Sequence, residues 1–117
     1  MPSRRPAESI TRARERIAGI REAINAIDDL CSGTLQKRMK ICGRANCRCA
    51  GDPSARHGPY YEWGHMKRGR LVNRMVSPEQ AAVLRRAIAN YRRVRTLLRK
   101  WEAETERLID LEHPRSE

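Results

Sequence analysis

The chain has 117 residues, 39% of them hydrophobic, with two Trp, three Tyr and no Phe. That composition suits one domain, or a small domain with helical extensions, and excludes an extensive core. A metal, a disulfide or a second subunit is expected to supplement it. Lys and Arg number 25 against 14 acids, a formal charge of +11, which points to a polyanionic partner such as nucleic acid.

No apolar run approaches the roughly 18 residues of a membrane span. The opening MPSRRPAES lacks the apolar stretch of a signal peptide. A cytoplasmic location is therefore expected, and nucleoid association if the partner is DNA. Clustered cysteines there serve metals rather than disulfides.

In chain order, residues 1–8 are expected to form a flexible N-terminus. A helix is predicted over 9–31, because Ile10, Ala13, Ile17, Ile20, Ile24, Ile27 and Cys31 recur at alternating spacings of three and four, a heptad seam. Ser9 or Thr11 is the expected cap, and Ser32-Gly33 the stop. Cys31 continues the seam and is read as a packed hydrophobe rather than a ligand.

Residues 32–76 are expected to hold a metal knuckle within a β-meander. Thr34 to Cys42 alternates imperfectly and reads as a strand. Pro59 to Trp63 reads as a second strand, Gly64 to Gly69 as a turn with a basic tip, and Leu71 to Val76 as a third. Between the first two strands, Cys42, Cys47, Cys49 and His57 follow the spacing C-x4-C-x-C-x7-H. Three thiols and an imidazole are a standard closed tetrahedral set for structural zinc, and the flanking Gly and Pro suit a loop that must close on an ion. His65 is the rival fourth ligand.

A second helix is predicted over 77–112. Ser77 and Gln80 fit a capping box, with Pro78 at the first helical position. Leu84, Ile88, Tyr91, Val94, Leu98, Trp101, Leu108 and Leu111 form its apolar stripe. Residues 113–117 form a tail. The expected fold is α+β and mainly helical: two long helices, as an antiparallel hairpin or coiled coil, flanking a small three-stranded antiparallel sheet with a Cys3His zinc knuckle. The heptad helices favour a homodimer or higher oligomer.

Charge is unevenly distributed: net +8 over 32–76, +6 over 77–100 and −4 over 101–117. Lys37, Arg38, Lys40, Arg44, Arg48, Lys67, Arg68, Arg70 and Arg74 spread along the knuckle and strands. Tyr61, if it faces outward, adds a base-stacking or phosphate-bonding ring. Arg85, Arg92 and Arg99 recur every seven residues along the second helix, which is either a phosphate-binding face or an ordinary solvated one. No nucleophile–base pair, Gly-rich phosphate loop or paired acidic motif occurs, so an enzyme is not expected. The expected function is nucleic-acid binding, double-stranded DNA first, as an accessory or regulatory factor. Two alternatives are a protein–protein assembly factor and a single-stranded nucleic acid or RNA binder that stacks bases on Tyr60 and Tyr61.

Gly33-Thr34-Leu35, Cys42-Gly43, Cys47, Cys49, His57-Gly58-Pro59-Tyr60-Tyr61 and Asn90-Tyr91-Arg92 together resemble a small bacterial and archaeal domain family of unknown function, over roughly residues 33–105. Members of that family look like accessory proteins of mobile elements. The resemblance implies the same metal quartet and a transposase- or recombinase-like neighbour or partner, and assigns no activity.

Overall fold

The computed structural model describes residues 5–115; residues 1–4 of the expected N-terminal segment and residues 116–117 of the expected tail lie outside them. Two helices, α1 (Pro6–Asn25) and α2 (Pro78–Glu112), flank three strands: β1 (Thr34–Lys40), β2 (His57–Lys67) and β3 (Arg70–Val76). The chain divides into two compact units, Asp29–Ala89 and the combination of Met1–Asp28 with Asn90–Glu117. No helix among the described residues is long and apolar enough to cross a membrane.

The helix predicted over 9–31 is displaced at both ends. It begins at Pro6, with Arg5 in the N-cap position and no side-chain cap, because proline is well suited to the first helical position and Glu8 complements the positive end of the helix dipole. Neither Ser9 nor Thr11 caps it; Thr11 Oγ1 instead donates to the Ala7 carbonyl at 3.0 Å. It ends at Asn25, with Ile27 N–H donating back to the Ile24 carbonyl in a tightened last turn. Asp28 and Asp29 follow, and two acids at the negative end of a helix are unfavourable. Their carboxylates accept hydrogen bonds elsewhere, Asp28 from Asn90 Nδ2 at 3.2 Å and Asp29 from Arg86 Nη2 at 3.4 Å. In its unit, α1 places Ala13 and Ile17 in a cluster with Leu108 of α2, with Ile10 and Trp101 packed against it. Glu104, only 8% exposed, is held between Arg16 at 2.9 Å and Arg107 at 2.8 Å.

In the other unit the sheet is an antiparallel meander of order β1-β2-β3, as expected. The strand predicted at 59–63 is longer, running from His57 to Lys67. The predicted turn shrinks to Arg68-Gly69, because Lys67 pairs with Arg70 and both loop residues have positive φ, 52° and 78°. Two left-handed residues match the natural twist of a two-residue hairpin.

Cross-strand partners share a face. Leu35, Trp63 and Arg74 line up on one face, as do Lys37, Tyr61 and Val76. On that face Leu35, Tyr61, Trp63 and Cys31 pack against the buried cluster of Val76, Ala81, Leu84 and Ile88. Cys31 is half-buried and packs against this core, in keeping with its reading as a packed hydrophobe, although it lies beyond the helix. The opposite face carries Gln36 and Arg38, Tyr60 and Glu62, and Asn73 and Met75.

The capping box at the start of α2 is formed in both directions: Gln80 N–H donates to Ser77 Oγ at 3.1 Å and Ser77 N–H to Gln80 Oε1 at 3.0 Å. At the other end of the unit, Gly33 joins the segment after α1 to β1 with φ 113°. A side chain there would collide with the Gly64 carbonyl oxygen and the Trp63 indole nitrogen. That indole N–H donates to the Ser32 carbonyl at 3.0 Å, so the tight approach is what brings the core tryptophan under the chain.

Candidate metal centre and basic surface

The register of β1 against β2 builds the centre. Lys40 pairs with His57 across a bulge that follows Arg38, so the strand ends that carry Cys42 and His57 lie side by side. A Cβ at Gly58, where φ is 136°, would meet the Arg38 carbonyl oxygen at 2.9 Å and Met39 Sδ at 3.0 Å. Only glycine lets β2 start so close to the bulge. Between the strands the chain folds back through two short 3₁₀ turns, Arg48–Ala50 and Pro53–Ala55. The first puts Cys49 into the interior, 1% exposed. The second is capped by Asp52, whose Oδ1 accepts from Ser54 N–H at 3.0 Å and Ser54 Oγ at 2.7 Å. Those two bonds, with a further one from Arg48, hold the Asp52 carboxyl below the usual carboxylate range.

The ligand atoms of Cys42, Cys47, Cys49 and His57 all lie within 4.8 Å of one another. Cys47 Sγ is 3.2 Å from His57 Nε2, and Cys49 Sγ is 3.5 Å from Cys42 Sγ. An S–S bond measures about 2.05 Å, and the four cysteines are free thiols. A tetrahedral ion with metal–sulfur bonds near 2.3 Å sets its sulfurs about 3.8 Å apart, so the quartet is compact enough to close on such an ion. Hydrogen bonds from the Cys49 backbone, then from the Cys49 and Cys42 thiols, lower the Cys47 pKa and favour its thiolate. The backbone N–H of Cys42 acts the same way on Cys49 from 3.4 Å, but burial and the neighbouring sulfurs outweigh it and raise that thiol. The residues fit a bound metal ion. His65, the rival ligand, lies on β2 and stands outside the group.

The structure distributes the expected nucleic-acid residues over both units. Lys37, Arg38, Lys40, Arg44, Arg48, Lys67, Arg68, Arg70, Arg74 and Arg85 belong to the Asp29–Ala89 unit, and Arg92 and Arg99 to the other. All twelve side chains are exposed, but they are not equivalent. Arg38 is engaged by Gln36 Oε1 at 2.8 Å and by Glu62 at 3.9 Å, Arg48 by Asp52 at 3.3 Å, and Arg74 stacks over Trp63 at 5.4 Å. Lys67, Arg68, Arg70, Arg44 and Arg85 make no ion pair among the described residues.

Tyr61 does not face outward. It shares the core face with Trp63, and Tyr60 takes the outer face, 39% exposed, with Lys40 Nζ 5.9 Å from its ring centroid. Strand parity carries the signal: Tyr61 and Trp63 are two apart and share a face, so an inward Trp63 commits Tyr61 inward and Tyr60 outward.

A family model described as a domain of unknown function (DUF6788) matches residues 10–86. No curated protein and no solved structure matches the chain. The matched segment contains most of α1, the whole sheet, the metal quartet and the start of α2, while Asn90-Tyr91-Arg92 lies beyond it. With about two thirds of its length matched, the chain belongs to the DUF6788 family of domains of unknown function.

Proposed function

We propose that this chain is a zinc-stabilised nucleic-acid-binding module, with double-stranded DNA as the favoured ligand and an accessory or regulatory role. The observation that carries the reading is that the metal quartet and the densest positive charge belong to one unit. The loop that would wrap the ion bears Arg44, Arg48 and Arg56. The strands it joins bear Lys37, Arg38 and Lys40, and the hairpin bears Lys67, Arg68 and Arg70. Zinc is the ion that best suits three thiolates and an imidazole in a closed tetrahedral set. Its role is to hold a basic knuckle rigid, with phosphate contacts supplying the affinity. The test is a fluorescence-anisotropy titration of the zinc-loaded chain with duplex DNA. Binding that weakens steeply with salt supports the reading, and no binding at low salt overturns it.

A second reading, single-stranded nucleic acid, is favoured by Tyr60, which sits outward beside Lys40 and could stack a base. Competition between duplex and single-stranded oligonucleotides separates the two. We further read α1 and the second half of α2 as an antiparallel hairpin. Arg14 pairs with Glu112, Arg16 with Glu104, and Arg21 stacks on Trp101, so one helix ascends as the other descends. A role beside a mobile-element recombinase rests on the sequence resemblance and is tested by co-purification with such a partner.

A further inference from the structure

The tip of the β2–β3 hairpin combines apolar exposure with positive charge. Met66 and Leu71 are cross-strand partners, so they share a face, the outer one that also carries Tyr60 and Met75. Leu71 is 66% exposed and Met66 60%, more than any other large hydrophobic side chain among the described residues. The next pair inward on that face is Gly64 with Asn73, and neither offers apolar cover. Met66 and Leu71 join neither buried cluster.

One exposed Met or Leu is ordinary. Here two are held side by side at a two-residue turn, and the charge around them has one sign. Lys67 and Arg70 form the last strand pair, and Arg68 stands in the loop. No Asp or Glu occurs between Glu62 and Glu79. A partner that covers the apolar pair must therefore bring negative charge to its rim. A DNA duplex does so with one charge about every 1.7 Å of its axis, and its base stack offers apolar surface behind that rim. Side chains such as Met and Leu enter the stack as wedges from the minor groove and kink the duplex. An anionic membrane carries the same charge but asks for more apolar surface, since even a whole myristoyl chain holds a protein there only marginally. Burial of two side chains is instead of the order needed to offset the unstacking of one base step, with phosphate contacts supplying the affinity.

We propose that the Met66–Leu71 pair is a wedge that unstacks a base step, so that the ligand this chain prefers is a kinked or easily kinked duplex. The inference rests on the duplex-binding reading and adds to it a point of insertion and a class of DNA. Lys67, Arg68 and Arg70 meet the phosphates flanking the step. Because the cost of insertion falls on the DNA, the wedge favours weakly stacked sites, a mismatch or a pyrimidine–purine step, over a stiff A-tract.

The test uses the zinc-loaded full chain and end-labelled duplexes that differ only in their central step. The unmodified protein should draw the duplex ends together, read by energy transfer. It should bind the mismatched duplex at least about tenfold more tightly than the A-tract duplex. Met66→Thr/Leu71→Thr keeps strand-forming residues at both positions. This double variant should abolish the bend and reduce the preference to within about twofold, with the salt dependence unchanged because the three basic residues remain. Should it misfold, a photo-crosslinking amino acid at position 71 gives an independent readout. Crosslinks to the bases of the central step support the wedge, and crosslinks confined to another part of the duplex overturn it. Salt-dependent binding that leaves the DNA straight, or a preference that the double variant keeps, overturns the wedge and leaves duplex binding standing. No duplex binding at low salt overturns both. Binding to phosphatidylserine vesicles that the double variant loses, while its DNA behaviour matches the unmodified chain, overturns the wedge in favour of a membrane.

Discussion

Trp63 and His65 stack with ring centroids 3.6 Å apart and planes 10° from parallel. The pair lies on the core face of β2, where Arg74 covers the tryptophan. His65 is thereby committed to packing, while His57, at the start of the same strand, is left to meet Cys47. The two histidines should separate cleanly on mutation. His57→Ala is expected to lower metal affinity by at least about 100-fold, since a ligand is lost outright. His65→Ala should leave one metal ion per chain bound and lower stability through lost stacking alone, about 1 kcal/mol. Metal content by atomic emission, read beside thermal unfolding, checks both. Equal metal loss in the two variants would mean the ligand set is misassigned.

Removing a bound metal should loosen the knuckle, because among the described residues its loop is otherwise held mainly by two short 3₁₀ turns and belongs to neither buried apolar cluster. Chelation is expected to lower the melting temperature, and Cys49→Ser should do the same without chelator, because it removes a candidate ligand that is also the most deeply buried residue of the loop. The pH dependence has a definite sign. Thiols and imidazole must lose protons to bind, so each unit of acidification weakens binding roughly tenfold for every ligand proton involved. Asp52 behaves separately: its carboxyl is depressed in the folded state, so its contribution is present above the ordinary carboxylate range and lost as pH falls through its lowered value. Metal release on acidification should therefore precede any loss from Asp52. A chelator competition across pH measures it, and pH-independent affinity would exclude thiolate ligation.

The parts of this structure that are legible in the sequence are those fixed by local chemistry. Ser77 and Gln80 announce a helix start whatever surrounds them, and both hydrogen bonds are formed. Three cysteines within eight residues and a histidine before Gly-Pro mark a candidate metal set without knowledge of the fold, and the four side chains do cluster. What resisted reading depends on partners distant in sequence. The heptad seam runs unbroken through Ile27 and Cys31, yet α1 stops at Asn25. Cys31 instead gives its N–H to the Ala87 carbonyl at 3.2 Å and packs on the Leu84 cluster. Periodicity alone cannot report that a chain leaves a helix, exposes Leu30 and still packs Cys31 on a core cluster. The face of Tyr61 is set by Trp63, because a strand's period of two turns residues two apart to the same side.

The segment after α1 makes a stability prediction. Gly33→Ala combines a left-handed φ with a collision against backbone, so neither rotation nor a flexible neighbour relieves it. A loss of about 2–3 kcal/mol or more is expected. Leu84→Ala, in the center of the same core, should cost about 2–5 kcal/mol. Denaturant unfolding of the metal-loaded protein measures both. A Gly33→Ala variant of unchanged stability would show that the close approach to Gly64 and Trp63 is dispensable.

The hairpin tip separates binding from folding. Arg68 holds a left-handed conformation, φ 52°, that costs a non-glycine residue energy and is tolerated best by asparagine. Arg68→Asn removes a positive charge while easing the turn. Its stability is expected to hold or rise by up to about 1 kcal/mol, and its duplex affinity to fall at low salt. If Arg68 neutralises one phosphate, the slope of log affinity against log salt should become shallower by about 0.9. Arg38→Ala is the internal comparison. That guanidinium is already bonded to Gln36 and close to Glu62, so part of its charge is compensated before any ligand arrives, and its removal should change the slope less. The ordering, Arg68 above Arg38, is the part that matters, because a loss of affinity through unfolding would track stability instead. Equal slopes for the two variants would place the phosphate contacts away from the hairpin.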